Sequence, residues 1–299
     1  MSSEAADVVP AGCAKPSRVS DFSELVKARL TFLVLVTTAA GFYLGAKPPV
    51  SYVSLFHAVF GTALAAAGAA ALNQWWERRL DAVMPRTRAR PLPAGRMSPP
   101  AALAIGAVLS CGGIVYLNAL CNAKAAALAA ATILIYIFAY TPLKRVSTAN
   151  TLVGAVPGAL PPMIGWAAAR DSVDAGAWSL FAILFFWQMP HFFAIAWLYR
   201  NDYTLAGFQM ISRDDASGAR SASQSVLFAI FLLMIAGAPA MLGMVHPIYL
   251  AIELVLTGFY IAAAMAFLRR QTPVHARKLF IMSIIYLPLL LGAMVLAKR

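Results

Sequence analysis

The chain has 299 residues, of which 61% are hydrophobic, and it carries a formal net charge of +12. A soluble domain is roughly 45–50% apolar, so this composition excludes an ordinary soluble enzyme and indicates a protein that crosses a membrane several times. Apolar windows of the roughly 20 residues that span a bilayer recur along the whole length, and most charged residues lie between them.

The predicted elements begin with a polar segment, residues 1–25, which contains no apolar run long enough for a signal peptide. We predict a flexible cytoplasmic tail there and a single transmembrane domain over residues 26–299. Apolar segments without alternating polarity favour helices over barrel strands, because backbone groups in lipid must bond within their own segment. The predicted fold is therefore an all-α polytopic membrane protein with about nine transmembrane helices, at residues 27–46, 52–78, 98–120, 125–142, 148–168, 175–199, 223–244, 247–268 and 278–297.

The distribution of Lys and Arg predicts how these helices are oriented. With a cytoplasmic N-terminus, most of the 24 basic residues fall in cytoplasmic segments, as the positive-inside rule requires. The same alternation places the C-terminus on the outer side. Topology thus explains most of the positive charge, and a nucleic-acid partner is not needed.

Three polar residues interrupt the end of the second predicted helix. Asn73, Glu77 and Asp81 have the spacing i, i+4, i+8, which places them on one helical face. Two carboxylates at i, i+4 repel each other unless a cation lies between them, and oxygen ligands of this kind suit Mg²⁺. The alternative is a structural helix end whose acids pair with nearby arginines, namely Arg78, Arg79 or Arg86.

A basic loop follows these acids directly. Pro85 and Pro91 end the helix and stiffen the loop, which carries Arg86, Arg88 and Arg90. A guanidinium binds phosphate as readily as it binds carboxylate. Acids that bind a metal, followed by several arginines, indicate a diphosphate that is held through Mg²⁺ and neutralised by cations.

The sixth predicted helix carries the second polar cluster. His191, Tyr199 and Asp202 are predicted to share one helical face, and Pro190 precedes the histidine. An even number of crossings separates this helix from the second, so both polar faces end on the cytoplasmic side. His191 is either a histidine hydrogen-bonded within the bundle or a functional one, in a setting rich in aromatic rings that stabilise cations.

Other charged residues lie outside these two clusters. Lys144 and Arg145 follow the fourth predicted helix, where either the positive-inside rule or an anionic ligand explains them. Glu253 lies one to two turns from the outer end of its helix, without a polar neighbour in the sequence pattern. We expect its side chain to reach the membrane interface.

These motifs occur in an order that resembles one enzyme family. The run from Asn73 to Arg96, NxxxExxxDxxMxRTxxRPLPxGR, resembles the first acidic motif of the UbiA-type intramembrane prenyltransferases. Its RTxxRPLPxGR part, with YTPLKR, GALPPMIGW and WQMPHFFAIAWLYRNDYTLAG, is similar to the branch that farnesylates haem. Together these segments cover about residues 70–220, and the nine predicted helices also match the family.

The resemblance implies a Mg²⁺-dependent transfer of farnesyl from farnesyl diphosphate to a vinyl group of haem b, with addition of water, to give haem O. It implies catalytic and metal-ligating roles for four residues, Asn73, Glu77, Asp81 and Asp202. It implies diphosphate binding by four more, Arg86, Arg90, Lys144 and Arg145. The wider family has a second motif with at least two Asp one turn apart, whereas here only Asp202 remains, so a second Mg²⁺ is left open.

His191 is the candidate for holding haem, as an axial ligand through its imidazole. The expected partners are the two substrates, membrane lipid and a haem A synthase that accepts the product, in a bacterial inner membrane. Two alternatives stay open: a UbiA-type enzyme that prenylates a quinone precursor or a chlorin, and a transporter for an anionic substrate. The transporter is disfavoured because the sequence shows neither an inverted repeat nor a pair of Gly/Pro-broken helices.

Overall fold

The computed structural model describes residues 17–299. Within this range, nine helices are long and apolar enough to cross a membrane, which confirms the predicted number, and their ends lie within a few residues of the predicted ones. They are α2 (Ala28–Gly45), α3 (Tyr52–Asp81), α4 (Pro99–Leu120), α5 (Ala123–Leu143), α6 (Asn150–Arg170), α7 (Ala175–Leu198), α9 (Ala219–Met241), α10 (Ile248–Arg269) and α11 (Pro273–Leu296). Two short helices lie outside the membrane spans, α1 (Arg18–Leu25) and α8 (Arg200–Leu205).

The prediction of a flexible tail is corrected for its last residues, while residues 1–16 lie outside the described range. Ser17 caps helix α1, and its side chain accepts a hydrogen bond from the Ser20 N–H. The Asp21 carboxylate lies 2.8 Å from the Arg96 guanidinium, and Leu25 is fully buried. These contacts dock α1 on the loop after α3, because its buried carboxylate and leucine find partners there.

Local sequence explains where several membrane helices begin. Ser51, Asn122 and Asp174 each accept a hydrogen bond from a backbone N–H in the first turn of the helix that follows. Pro99 and Pro273 occupy first helical positions, where a missing N–H costs nothing. Polar caps thus fix the starts of spans whose interiors are nearly all apolar.

Small residues set the closest helix crossings in the bundle. Helix α3 packs along α4, and α2 packs along the second half of α6. A Cβ added at Gly68 would lie 2.4 Å from the backbone nitrogen of Ser110, and one added at Gly165 would lie 1.9 Å from the carbonyl oxygen of Thr38. Glycines therefore let these backbones approach, as is common between membrane helices.

Helix α5 changes its winding near its C-terminal end. Residues Ile135–Tyr140 are π-helical, and Pro142 follows them. Such turns occur mostly as single insertions within α-helices, and frequently at functional sites. Here the wide turn lets Tyr136 and Tyr140 stack at 5.5 Å between ring centroids, immediately before Lys144. The winding thus places two phenols and an ammonium group at the same end of the bundle.

The loop between α7 and α9 is fixed by polar contacts. The N–H of Gln209 donates to the Lys144 carbonyl oxygen at 2.6 Å, and the Asn150 amide donates to the Gln209 carbonyl oxygen at 2.6 Å. At the start of α9, the buried Asp215 carboxylate accepts from the N–H groups of Ser221 at 2.7 Å and Arg220 at 3.1 Å. This long loop is therefore packed against the ends of α5 and α6.

Asp215→Asn is expected to lower the free energy of unfolding by about 1–2 kcal/mol at pH 7, because one of two accepting oxygens becomes a donor. Burial alone would raise the pKa of Asp215, but the hydrogen bonds from Ser221 and Arg220 outweigh it and hold the pKa below its usual value. The stabilisation is therefore present above the unfolded pKa of about 3.9 and is lost as the pH falls through the lower folded value.

Unfolding of the detergent-solubilised protein at pH 7 and near pH 3.5 measures this difference. The exposed Asp214 supplies the matched control, Asp214→Asn, which changes the same charge without those hydrogen bonds. A deficit in Asp215→Asn that does not shrink in acid would contradict the assignment.

Candidate active site

The three polar residues of the first motif lie on the buried side of α3. Helix α3 continues as far as Asp81, so the predicted helical spacing holds over Asn73, Glu77 and Asp81. Their exposed fractions are only 1%, 5% and 1%. Charged side chains so well buried require partners of opposite charge.

Two cations from other segments pair with these acids. The Lys144 ammonium lies 2.8 Å from Glu77 Oε1, and the Arg90 guanidinium lies 2.7 Å from Asp81 Oδ2. The pairs predicted for a purely structural helix end are absent among residues 17–299, where Arg78 instead donates to the Trp75 carbonyl oxygen. The acids are thus neutralised by two of the residues that the resemblance assigns to a diphosphate.

The Glu77 carboxylate controls the charge state of Lys144. Burial alone would lower the pKa of Lys144, but the neighbouring carboxylate outweighs burial and raises the pKa above its usual value. The lysine also lies over the Tyr140 ring, 4.4 Å from its centroid. Lys144 therefore remains a cation throughout the physiological pH range.

Lys27 belongs to the same cluster, although the sequence indicated only a topological charge there. Its ammonium donates to Asn73 Oδ1 at 2.8 Å and to the Tyr136 hydroxyl at 3.4 Å. Burial, with the nearby Arg90 and Lys144 cations, lowers the pKa of Lys27 to about 7. Its φ of 49° lies in the left-handed region that non-glycine residues rarely adopt, and such strain is concentrated at functional sites.

The basic loop after α3 joins this cluster to the end of α7. The Thr87 hydroxyl donates to the Asp81 carbonyl oxygen at 2.8 Å, which fastens the loop to the helix. Arg86 is exposed and lies over the Tyr199 ring at 5.0 Å, while its guanidinium is 3.4 Å from the Tyr203 hydroxyl. The two sequence motifs are therefore neighbours at one end of the bundle.

Asp202 and Arg145 lie outside the cluster of ion pairs. Asp202 is half-buried, and its carboxylate forms no hydrogen bond or ion pair with residues 17–299. Helix α7 ends at Leu198, with Tyr199 as its cap, so Asp202 lies on α8 and the predicted face shared with His191 is interrupted. Arg145 is exposed, since it follows the buried Lys144 as the chain leaves α5, and the structure does not bring it to the acids.

His191 lies on α7, away from the acids and against α11. Its Nδ1 is 2.6 Å from Ser283 Oγ, and its ring centroid is 5.0 Å from that of Phe280 and 5.7 Å from that of Trp187. Trp187 donates through Nε1 to the Ser283 carbonyl oxygen at 2.8 Å. The histidine thus has a fixed orientation within an aromatic wall between two helices.

The oxygen donors of the first motif fit Mg²⁺ as part of a coordination shell that water and phosphate oxygens complete. Within the described range no group of three His, Cys, Asp or Glu side chains could hold a metal by itself. Mg²⁺ commonly binds one or two carboxylates and completes its octahedron with water and phosphate oxygens. Glu77 and Asp81, with the Asn73 amide, supply such an incomplete set of hard oxygen donors.

Comparisons with known proteins agree with this architecture. Residues 34–287 match the model of the UbiA prenyltransferase family. Two bacterial relatives carry the name protoheme IX farnesyltransferase: one from Solibacter usitatus is 42% identical over 93% of this chain and 98% of its own length, and one from Opitutus terrae is 43% identical over 95% and 97%. A mitochondrial relative of that name from Arabidopsis thaliana is 39% identical over 92% of this chain and 64% of its own.

Solved structures share the fold at low sequence identity. A digeranylgeranylglyceryl phosphate synthase superposes with a TM-score of 0.78 at 15% identity, over 93% of this chain and 98% of the other. A UbiA homologue from Archaeoglobus fulgidus bound to GPP and Mg²⁺ superposes with a TM-score of 0.65 at 14% identity, over 92% and 99%. With nine membrane helices among residues 17–299 and a family match over residues 34–287, the chain belongs to the UbiA prenyltransferase family.

Proposed function

We propose that this protein transfers the farnesyl group of farnesyl diphosphate to a vinyl group of haem b, with addition of water, to give haem O and diphosphate. The observation that carries the proposal is the cluster of buried acids and cations at one end of the bundle, Glu77 with Lys144 and Asp81 with Arg90. Relatives about 42% identical over nearly the whole chain, which carry the farnesyltransferase name, support the choice of substrates.

In this proposal the diphosphate binds among the cations at the cytoplasmic end of the bundle. Lys27, Lys144 and Arg90 already converge on the first motif, and Arg86 lies beside it in the adjoining loop. These residues would hold the diphosphate and stabilise the negative charge that it gains as the C–O bond breaks. The farnesyl tail, being apolar, would lie between helices towards the centre of the bilayer.

Asn73, Glu77, Asp81 and Asp202 would hold Mg²⁺, which supplies Lewis-acid stabilisation of the leaving diphosphate when bound. The C–O electron pair leaves with the diphosphate, and the vinyl π electrons form the new C–C bond to the allylic carbon. Water then adds to the resulting cation on the haem side chain and loses a proton. These reaction steps need no protein nucleophile.

We further propose that the reaction takes place in a bacterial inner membrane, where a haem A synthase accepts the product. The nine apolar helices in the described part of the chain make this a multi-pass membrane protein. The cytoplasmic placement of the site follows from the positive-inside rule. It is supported by the convergence of basic residues at the end where α2 begins and where α3, α5 and α7 finish.

Incubation of the purified protein with haem b, farnesyl diphosphate and Mg²⁺ tests the function directly. Mass spectrometry should detect haem O, whose formation stops when Mg²⁺ is chelated. Parallel reactions replace haem b with 4-hydroxybenzoate or a chlorin. Prenylation of either compound without any haem product would show that the protein belongs to the branch of the family that prenylates quinone precursors or chlorins.

His191 is proposed as the residue that holds haem, through its imidazole and the iron. His191→Ala is expected to weaken haem b binding at least about tenfold and to shift the Soret band of the bound haem, because one axial donor is lost. Absorption titration of the purified variant measures both. His57→Ala is the matched control, because that histidine bonds to the Tyr116 hydroxyl at 2.8 Å and lies near the opposite end of the bundle. An unchanged affinity and spectrum in His191→Ala would exclude the ligand role.

A further inference from the structure

The hydrogen bond between His191 and α11 has a defined direction. Ser283 is fully buried, and its hydroxyl lies 2.5 Å from the Phe280 carbonyl oxygen and 2.6 Å from His191 Nδ1. A carbonyl oxygen only accepts, so the single hydroxyl hydrogen of Ser283 points to Phe280. The hydroxyl oxygen is then the acceptor for His191, and Nδ1 carries the ring proton.

This arrangement determines what the other ring nitrogen offers. In a neutral imidazole with hydrogen on Nδ1, Nε2 keeps its lone pair. No residue in the described range forms a hydrogen bond with Nε2, and His191 as a whole is half-buried. A ring nitrogen with a free lone pair is what a haem iron requires of a histidine ligand.

A second contact from the same residue of α11 fixes the plane of the ring. The Ser283 carbonyl oxygen accepts from Trp187 Nε1 at 2.8 Å, and the Trp187 ring stacks on His191 with an interplanar angle of 28°. The Tyr260 hydroxyl donates to the Trp187 carbonyl oxygen at 2.9 Å, which joins α10 to α7 beside His191. Ser283 therefore contributes its hydroxyl to the imidazole and its carbonyl group to the aromatic wall beside it.

We propose that Ser283 is a positioning residue for haem b, which holds His191 as the Nδ1–H tautomer and thereby presents Nε2 to the iron. The inference rests on the proposed function, from which it takes haem as the substrate. Outer-shell hydrogen bonds of this kind orient histidine ligands and raise their basicity, and their loss typically weakens metal binding 10- to 100-fold.

Ser283→Ala removes the acceptor for Nδ1 but keeps the carbonyl bond to Trp187, so it tests the hydroxyl alone. We expect haem b affinity to fall roughly 10- to 100-fold, the Soret band to shift, and the KM for haem to rise while the KM for farnesyl diphosphate is unchanged. Ser283→Thr, which keeps the hydroxyl, should restore affinity and spectrum to near the native values.

Ser225 supplies the matched control. It too is fully buried, and its hydroxyl donates within its own helix to the Ser221 carbonyl oxygen at 2.7 Å. Ser225→Ala therefore carries the same loss of a buried hydroxyl without a contact to His191, and it should bind haem b as the native protein does. Equal losses of haem affinity in both alanine variants would mark the Ser283 effect as general destabilisation and overturn the proposal.

Nitrogen NMR of the native protein labelled with ¹⁵N-histidine gives a test that needs no Ser283 variant to fold. His191→Asn identifies the signals of His191, and we expect its proton on Nδ1. A proton on Nε2, or a folded Ser283→Ala with native haem affinity and spectrum, would overturn the inference. Either result leaves the proposed function intact if the native protein makes haem O, whereas absence of that product is a failure of the proposed function itself.

Discussion

Asp81→Ala is expected to reduce farnesyl transfer at least about 1,000-fold while leaving haem b binding largely unchanged. A factor of this size corresponds to about 4 kcal/mol of activation free energy, which is the scale expected when a metal ligand beside the leaving group is lost. Haem binding should persist because His191, the proposed haem ligand, packs against α11, and no contact in the described range joins it to Asp81.

Asp81→Ala also removes the carboxylate that lies 2.7 Å from the Arg90 guanidinium. Asp81→Asn keeps the side-chain volume and one accepting oxygen but removes the charge, so it separates loss of the metal ligand from loss of packing. Asp171→Ala is the control, because that exposed acid pairs with Lys124 near the opposite end of the bundle. Haem O formation and haem b affinity, measured in all three variants, test the role of Asp81 as a metal ligand. Turnover of Asp81→Ala within tenfold of the native rate would exclude a metal-ligating role.

The fold was largely predictable because the bilayer imposes strong rules on sequence. Long apolar runs separated by charge specify helices of the right number, and the caps and prolines at their ends leave only small errors in the boundaries. The prediction was wrong for residues 18–25, which form a helix. Asp21 and Leu25 find their partners, Arg96 and the apolar cluster around Leu92, only when the chain has folded.

The helical face of the first motif was predictable from the sequence, but the ion pairs of its acids were not. Helical periodicity placed Asn73, Glu77 and Asp81 on one face, yet the partners of the acids come from distant segments that no local pattern connects. Lys27 was missed because its left-handed backbone and its reach to Asn73 are properties of the folded chain. Only its position at the start of the first membrane helix offered a signal.

Glu253 is a second residue whose partners the sequence pattern did not reveal. The expectation that it reaches the membrane interface was wrong, because its side chain is buried and accepts a hydrogen bond from Thr257 at 2.9 Å. Thr257 lies one turn further along α10 and is also within 2.8 Å of the Tyr286 hydroxyl of α11. A buried carboxyl group in a membrane helix is tolerated when neighbouring helices supply polar partners, and Tyr286 is far from Glu253 in the sequence.

The Glu77–Lys144 pair gives the largest expected effect on stability. The two side chains are only 6% and 10% exposed, so Lys144→Met leaves a buried carboxylate without its cation. Removal of one partner of a buried ion pair typically costs about 3–5 kcal/mol, whereas replacement of both partners is often nearly neutral. We therefore expect Lys144→Met to lower the free energy of unfolding by about that amount, and Glu77→Gln/Lys144→Met to recover most of the loss.

Activity should not follow stability in this double variant. If Lys144 binds the diphosphate and Glu77 binds Mg²⁺, farnesyl transfer is lost in both single variants. It remains lost in the stable double variant, because that variant lacks both binding groups. Unfolding in mixed detergent micelles and haem O formation, measured on the same preparations, separate the two roles. Recovery of both stability and turnover in Glu77→Gln/Lys144→Met would mean that the pair serves the fold alone, and that the diphosphate is held by Lys27, Arg86 and Arg90 without it.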